Sequence, residues 1–226
     1  MTMPDWLTRL LPSATASTWP VIASLLTEDA ALYGGTGLAV HLRHRLSRDL
    51  DVFCTEPFDP DRLEAELHAC GAFAVTSKAE ATLNGIFEDT KVQFLHADRQ
   101  RVLEAPAEIA GMRIAGMSDL IATKLNAVIS RGELRDYYDL KAIEQQTGRT
   151  MEEGIGLYNA RFEIADPGQQ AMIITRSLGS FDDVGDDPTL PDTRAEIVRY
   201  WKRRQPEIST HLDQYGMARR PDDQPR

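Results

Sequence analysis

Two aspartates lie two positions apart in a short β-type segment, and their spacing suggests metal chemistry. Asp49 and Asp51 flank Leu50, and Val52 and Phe53 follow. Because strand side chains alternate between faces, both carboxylates are expected on one face. They repel each other unless a cation lies between them, and Mg²⁺ prefers such oxygen ligands. On a solvated edge strand no metal site would follow, but the apolar neighbours favour a buried central strand.

A glycine-rich turn precedes this segment. Gly34, Gly35, Thr36 and Gly37 lie between an apolar strand and a helix, where backbone N–H groups favour phosphate. The turn is not a P-loop, and Val40 replaces the third glycine of a dinucleotide fingerprint. The turn alone is a weak signal. Together with the acid pair it predicts phosphoryl or nucleotidyl transfer.

The elements that position these groups form an α/β N-terminal half. Apolar periodicity and turn residues predict both kinds of element here. The predicted helices are 20–31, 36–46 and 60–69, and the predicted strands are 31–33, 49–53, 73–77, 82–87, 91–95 and 113–115.

From Ser118, a predicted N-cap, the apolar period becomes helical. The fold class is therefore α+β, with a mixed sheet and flanking helices followed by an all-helical C-terminal half. We expect domains at 1–116 and 117–226. The predicted helices are 119–130, 134–146, 151–162, 169–178 and 193–216, with a surface loop at 182–191 and a frayed end at 219–226.

Composition limits which classes of function the chain can have. The 226 residues carry 25 Lys and Arg against 35 Asp and Glu, a net charge of −10. Indiscriminate nucleic-acid binding is not expected, because it needs a dominant basic surface. A local basic patch stays open, since Arg43, His44, Arg45 and Arg48 cluster just before the aspartates. No apolar run is long enough to span a bilayer, and residues 1–11 are not expected to be a signal peptide. Cys54 and Cys70 are expected to be free thiols in a reducing cytoplasm.

Two segments, in order along the chain, match a known pattern. The first is Tyr33–Val40 followed by Arg45–Phe53. The second is Asp119–Ala127, followed by Arg131 and then Arg135–Leu140. Together they resemble the nucleotidyltransferase superfamily, and more narrowly the AbiEii/AbiGii toxin family of abortive-infection and toxin–antitoxin systems.

The resemblance implies a DNA polymerase β-type nucleotidyltransferase core that uses Mg²⁺ to move a nucleoside monophosphate from an NTP to an acceptor hydroxyl. Transfer RNA or another RNA is the implied acceptor, and a cognate antitoxin is an implied partner. The implied catalytic residues are Asp49, Asp51, Lys124 and Asp136; the two aspartates hold the metal, and Gly34, Gly35, Thr36, Arg48 and Lys124 bind the nucleotide.

Other interpretations of these residues remain open. Lys124 lies off the apolar stripe of its predicted helix, which is typical of a solvated lysine. Asp136 and Asp139 fall in a first helical turn, where the helix dipole favours acids. We prefer that explanation for Asp139 and leave Asp136 open between the dipole and a functional role.

One position departs from the superfamily pattern. Its enzymes often place a third carboxylate on a later strand, and the matching run here carries Gln93. Glutamine is neutral and a poor Mg²⁺ ligand. Either two aspartates suffice, or Asp136 supplements them, or the site is weakened. Gln93 thus supports the alternative of a catalytically silent nucleotide-binding scaffold. Transfer to a small molecule and a partner-binding protein also stay as alternatives.

Three further candidates favour structural roles. His41 and His44 are three apart on a helix, and without a third ligand they are expected to be a surface pair. Cys54 is expected to be a buried thiol. Trp201, among basic residues, is expected to pack inward rather than stack on bases.

Overall fold

The computed structural model describes residues 3–214, which form a seven-stranded mixed sheet and nine α-helices. The strands are β1 Ala30–Leu32, β2 Leu50–Cys54, β3 Phe73–Ala79, β4 Thr82–Phe87, β5 Thr90–His96, β6 Ala107–Ile109 and β7 Met112–Ile114. The helices are α1 Asp5–Leu10, α2 Ser13–Leu25, α3 Gly34–Leu42, α4 Pro60–Cys70, α5 Met117–Ser130, α6 Leu134–Thr147, α7 Met151–Arg161, α8 Pro167–Leu178 and α9 Arg194–Gln214.

The sheet order is β3-β4-β5-β2-β1-β7-β6. Strand β2 is central: it pairs parallel with β5 and antiparallel with β1. Strands β1 and β7 are also parallel, whereas β3-β4, β4-β5 and β6-β7 are antiparallel. The mixed sheet with flanking helices and a helical C-terminal part confirms the predicted fold class.

Alternation along β2 separates the core from the candidate site. Leu50, Val52 and Cys54 are buried, whereas Asp51 and Phe53 are partly exposed on the other face. The buried residues join a core that contains Trp19 and side chains of β4, β5 and β7. Burial of a large side chain contributes roughly 1.5–3 kcal/mol to folding stability. The buried face of β2 therefore fixes its register, and Asp51 lies on the opposite face of the strand.

The chain divides into two compact units, Met1–Leu120 and Ile121–Arg226, with the boundary inside α5. The first unit contains the sheet. The second is helical, and Trp201 is fully buried in it, with its indole N–H donating to the Tyr137 carbonyl at 3.0 Å. Helix α7 begins at a capping box formed by Thr150 and Glu153.

The structure corrects two predicted helices in the first unit. The predicted helix 20–31 is wrong at both ends: α2 runs from Ser13 to Leu25, so Pro20 lies inside it and residues 26–31 lie beyond it. Helix α3 ends at Leu42 rather than residue 46, because Arg43 adopts a left-handed conformation with φ of 53°. The short elements α1 and β6 were not predicted.

The predicted N-cap at Ser118 is wrong. Helix α5 begins at Met117, and both the backbone N–H and the hydroxyl of Ser118 donate to the Glu104 carboxylate at 2.9 and 2.8 Å. The predicted frayed end at 219–226 and the last residues of the predicted helix 193–216 lie outside the described residues. Among residues 3–214, no helix is both long and apolar enough to cross a membrane.

Candidate nucleotidyl-transfer site

The glycine turn and the aspartate strand are in direct contact. Gly34 has a φ of +64°, and a Cβ built on it would lie 2.0 Å from Asp51 Oδ2. Only glycine adopts that conformation freely and leaves space for the carboxylate. The backbone is also held, because the Tyr33 N–H donates to the Asp51 carbonyl at 2.7 Å. The structure thus brings Gly34 and Asp51 together, as the sequence predicts.

The segment before β2 is fastened to the start of α3. Thr36 is fully buried, and its hydroxyl lies 2.5 Å from the Asp49 carbonyl oxygen and 2.8 Å from Ser47 Oγ. This hydroxyl therefore positions the aspartate segment instead of facing solvent. A Cβ at Gly35 would lie 2.5 Å from a guanidinium nitrogen of Arg45, so a cation lies against the turn.

Asp49 and Arg48 lie at the entrance to β2. Asp49 immediately precedes the strand and is partly exposed, while Arg48 is exposed. The backbone of Arg48 is held because its carbonyl accepts a hydrogen bond from the Thr15 hydroxyl at 2.8 Å. Arg48 thus has an anchored backbone and an exposed side chain.

Gln93 is the direct neighbour of Asp51. The two residues are paired in the parallel β2-β5 register, and Gln93 pairs in turn with Asn84 on β4. Paired residues of neighbouring strands project from the same face. The position that could hold a third carboxylate beside Asp51 therefore carries a neutral amide.

The donor set fits a hard cation such as Mg²⁺. Asp49 and Asp51 offer carboxylate oxygens at the entrance to one strand, and Gly34 leaves the Asp51 carboxylate room on the turn side. Within residues 3–214, no three His, Cys, Asp or Glu side chains form a cluster able to hold a metal. A metal here would take its remaining ligands from substrate and water, which is usual for Mg²⁺.

The second predicted motif forms a buried charge network in the helical unit. Lys124 on α5 is only 4% exposed, and its Nζ lies 3.0 Å from Asp136 Oδ1 and 2.6 Å from Asp139 Oδ2 on α6. Arg131 Nε reaches the other oxygen of Asp136 at 3.2 Å. The interpretation of Lys124 as a solvated lysine is therefore wrong.

The electrostatics of this network keep Asp136 ionised. Burial alone raises the pKa of its carboxyl, but the charge of Lys124 and the hydrogen bond and charge of Arg131 outweigh it, so the pKa lies below its usual value. Asp136 is consequently a carboxylate near neutral pH and not a proton donor there.

The network also identifies residues that the sequence did not. Asp139 is fully buried and bonded to Lys124, which the helix dipole alone does not explain. Arg131 has a side chain 54% exposed, so it is the solvent-facing end of the network. The Arg-Asp-x-x-Asp spacing was the available signal, because residues three apart share a helix face.

Asp119, at the start of the second motif, has an anchoring role. Its buried carboxylate accepts backbone N–H bonds from Leu103 at 3.0 Å and Glu104 at 2.9 Å. Glu104 in turn contacts Ser118. Asp119 thus holds the loop after β5 against the first turn of α5.

The remaining sequence candidates have structural roles. Burial, with the charge of Asp29, raises the pKa of the Cys54 thiol to about 12, so it stays protonated. Cys54 and Cys70 are both free, as predicted.

His41 is exposed and lies 2.9 Å from the Ala115 carbonyl. His44 is buried, so the prediction of a surface pair is correct for His41 and wrong for His44. The inward packing of Trp201 is confirmed.

The fold and the site are of the nucleotidyltransferase type: a mixed sheet whose central strand β2 carries Asp51, with Asp49 directly before the strand and the Gly34 turn against Asp51. The chain belongs to the family described as "Nucleotidyl transferase AbiEii toxin, Type IV TA system", whose sequence model matches residues 21–214. The family resemblance of the two motifs is confirmed, and the chain is a nucleotidyltransferase by family.

The chain is similar in sequence to one further protein and in fold to two solved structures. The uncharacterized protein aq_aa25 of Aquifex aeolicus (strain VF5) is 27% identical over 186 residues, covering 80% of this chain and 85% of its own. The crystal structure of JHP933 from Helicobacter pylori has a TM-score of 0.54 at 16% identity, over 95% of this chain and 97% of that one. Another H. pylori crystal structure, provisionally described as a nucleotidyltransferase, has a TM-score of 0.56 at 17% identity, over 90% and 98%.

Proposed function

We propose that this protein is a Mg²⁺-dependent nucleotidyltransferase that transfers a nucleoside monophosphate from an NTP to an acceptor hydroxyl of RNA, with transfer RNA as the first candidate. The single observation that carries the proposal is the contact between Gly34 and the Asp51 carboxylate. In this contact, a turn that can bind phosphate lies against a carboxylate that can bind a metal. Transfer from a nucleoside triphosphate needs both groups side by side.

The aspartates, the glycine turn and Arg48 have different roles in the proposed reaction. Asp49 and Asp51 hold the metal, and the N–H groups of Gly34, Gly35 and Thr36 meet the β- and γ-phosphates. Arg48 contributes an exposed cation to the nucleotide. Bound Mg²⁺ would neutralise triphosphate charge and make the acceptor hydroxyl more acidic.

The transfer step is a displacement at the α-phosphorus. The acceptor oxygen forms a bond to the α-phosphorus while the bond from the α-phosphorus to the bridging β-phosphate oxygen breaks. Pyrophosphate leaves with that electron pair, and the hydroxyl proton passes to solvent. The attacking and leaving oxygens lie in line, so positioning contributes most of the catalysis.

Lys124 and Asp136 have a more specific role than the sequence alone implies. Lys124 forms ion pairs with both Asp136 and Asp139, and Arg131 contacts Asp136, so two cations balance two carboxylates. The exposed cation of this network is therefore Arg131, with Lys124 and Asp136 setting the position of its guanidinium. A Lys124 ammonium that reached phosphate directly would have to leave two buried carboxylates.

The test uses the full chain with each of the four α-³²P-labelled NTPs, a pool of deacylated transfer RNA, and either Mg²⁺ or EDTA. Labelled RNA and released pyrophosphate, both dependent on Mg²⁺, are the expected results. Label on small alcohols added in place of RNA would instead identify a small-molecule acceptor. NTP binding without pyrophosphate in any arm would identify the silent scaffold that Gln93 leaves open.

The family description also supports a toxin with a cognate antitoxin. We expect that expressing the chain arrests growth, that a neighbouring gene relieves the arrest, and that the Asp49→Asn/Asp51→Asn variant is harmless. Arrest by the double variant would separate toxicity from nucleotidyl transfer.

A further inference from the structure

A row of uncharged polar side chains continues from Asp51 across the sheet. Register places Gln93 of β5 beside Asp51, Asn84 of β4 beside Gln93, and Ser77 of β3 beside Asn84. All four project from one face. Two strand spacings separate Asp51 from Asn84, roughly 10 Å, so one nucleotide can reach both.

The opposite face of these strands is the core face. Leu83 and Phe94 are buried there, and Lys78, paired with Leu83, forms salt bridges to Asp61 and Glu64 of α4. Helix α4 therefore packs on that face, away from Asp51. On the Asp51 face, in contrast, Ile86 is 44% exposed and Lys91 is exposed.

Asn84 has an unmet hydrogen-bonding requirement. Its Oδ1 is buried, yet it accepts no hydrogen bond from any residue in the described range 3–214. Buried polar atoms are nearly always paired, and each exception calls for an explanation. A ligand N–H or O–H group that reached Oδ1 would supply the missing hydrogen bond. In the strand register, Asn84 is opposite Gln93, and Gln93 is opposite Asp51.

Topology separates the two sides of Asp51. The Gly34 turn follows β1, which pairs with β2 on one side, whereas Gln93 and Asn84 lie on β5 and β4 on the other. The phosphate-binding turn and the amide row therefore approach Asp51 from opposite sides. In-line transfer needs this arrangement, because the attacking and leaving oxygens lie on opposite sides of the phosphorus.

We infer that Gln93 and Asn84 form the subsite for the terminal nucleotide of the RNA acceptor. The inference rests on the proposed function and specifies where its acceptor binds. Amide side chains recognise base edges and ribose hydroxyls, which carry N–H and O–H donors for Asn84 Oδ1. Lys91, on the same face, provides a cation for the adjoining phosphodiester. Neutral amides suit a chain with a net charge of −10.

The test is a steady-state comparison of native protein with the Asn84→Leu variant, using the transfer RNA pool and α-³²P-labelled NTPs. Leucine keeps the size of asparagine and removes the unpaired oxygen. We expect the KM for RNA to rise about tenfold, as for loss of one or two hydrogen bonds, with the KM for NTP unchanged. The melting temperature should stay the same or rise, because the unpaired buried oxygen is gone. Thr82→Val, on the same strand and face, is the matched control and should change none of these values.

The outcomes are distinguishable. A variant whose KM for RNA matches native protein overturns the subsite and leaves the proposed function standing. A variant with a lower melting temperature and equal losses for RNA and NTP also overturns it, since that pattern indicates a structural asparagine. Native protein that labels no RNA overturns the proposed function and the subsite together.

Discussion

Gly34 lies against the carboxylate of Asp51 so closely that a single added carbon would come within 2.0 Å of Oδ2. The two residues are 17 positions apart in the sequence; Gly34 is the first residue of helix α3, and Asp51 lies on strand β2. The contact explains why the glycine is required for two independent reasons, its φ of +64° and the absence of a side chain. It also makes the turn and the acid a single unit, so changing one alters the other.

Gly34→Ala tests this contact. Alanine must adopt a left-handed conformation, which costs about 1–2 kcal/mol, and it must displace the Asp51 carboxylate. We expect lower stability in urea unfolding and loss of Mg²⁺-dependent NTP binding, measured by calorimetry. Gly156→Ala is the control, because an added Cβ there meets nothing within 4 Å. That exposed helical position should gain up to about 1 kcal/mol and keep NTP binding. Normal Mg²⁺-dependent binding by the Gly34 variant would show that the turn is not part of the site.

Lys124→Met tests the buried charge network. The substitution leaves Asp136 and Asp139 without their shared cation, and removing one partner of a buried pair costs about 3–5 kcal/mol. The Lys124→Met/Asp139→Leu variant loses one charge of each sign and should be more stable than the single variant, as measured by urea unfolding. Lys202→Met, at an exposed position, should change the free energy of unfolding by less than about 0.5 kcal/mol. A double variant less stable than Lys124→Met would contradict the account.

The lowered pKa of Asp136 predicts a pH dependence of stability. Its folded pKa lies below the unfolded value near 3.9. Between those two values the unfolded state binds more protons, so stability rises with pH there. The contribution is complete above about pH 5 and is lost as pH falls through the folded pKa.

The measurement for that prediction is urea unfolding between pH 2 and pH 6. Native protein should lose stability below about pH 4, and Asp136→Asn should lose less over the same interval while starting lower. Asp183→Asn, in the exposed loop before α9, should follow the native curve. Parallel curves for native protein and Asp136→Asn would rule out the proposed linkage.

Gln93→Glu tests the neighbour of Asp51. The change places a third carboxylate beside the predicted metal ligands, and added ligand charge strengthens divalent binding. We expect several-fold tighter Mn²⁺ binding, followed by electron paramagnetic resonance, which does not depend on turnover. Thr82→Glu, on the same face but away from Gln93 in the register, should change the affinity little. If both glutamates have the same effect, the Gln93 result reflects net charge and not a position at the metal.

Residue types and spacing were sufficient to predict the part of the fold that holds the aspartates. Strands β4 and β5 were predicted closely because alternating burial leaves a period of two in the sequence. Gly34 and Asp51 were identified because a glycine turn, a weak signal alone, precedes two acids spaced two apart in an apolar segment. The three-residue strand β6 leaves no such pattern, and in the structure it pairs with β7.

The burial of Lys124 in the charge network could not be predicted from the sequence, for a physical reason. The periodicity of α5 places Lys124 off the apolar stripe, which indicates solvent exposure when α5 is considered alone. Burial of a lysine depends on whether another element supplies opposite charge, and here α6 supplies Asp136 and Asp139. The Pro20 error has a related cause: proline usually begins a helix, but tertiary packing of Trp19 and Ile22 holds α2 together around it.

The most direct test of the central claim is the Asp49→Asn/Asp51→Asn double variant, assayed for transfer of labelled nucleotide to RNA in Mg²⁺. Asparagine keeps the size of each side chain and removes its charge, so far-ultraviolet circular dichroism and the melting temperature should stay close to native. We predict that labelled product and released pyrophosphate both fall to background. A folded double variant that transfers nucleotide at the native rate would contradict the account.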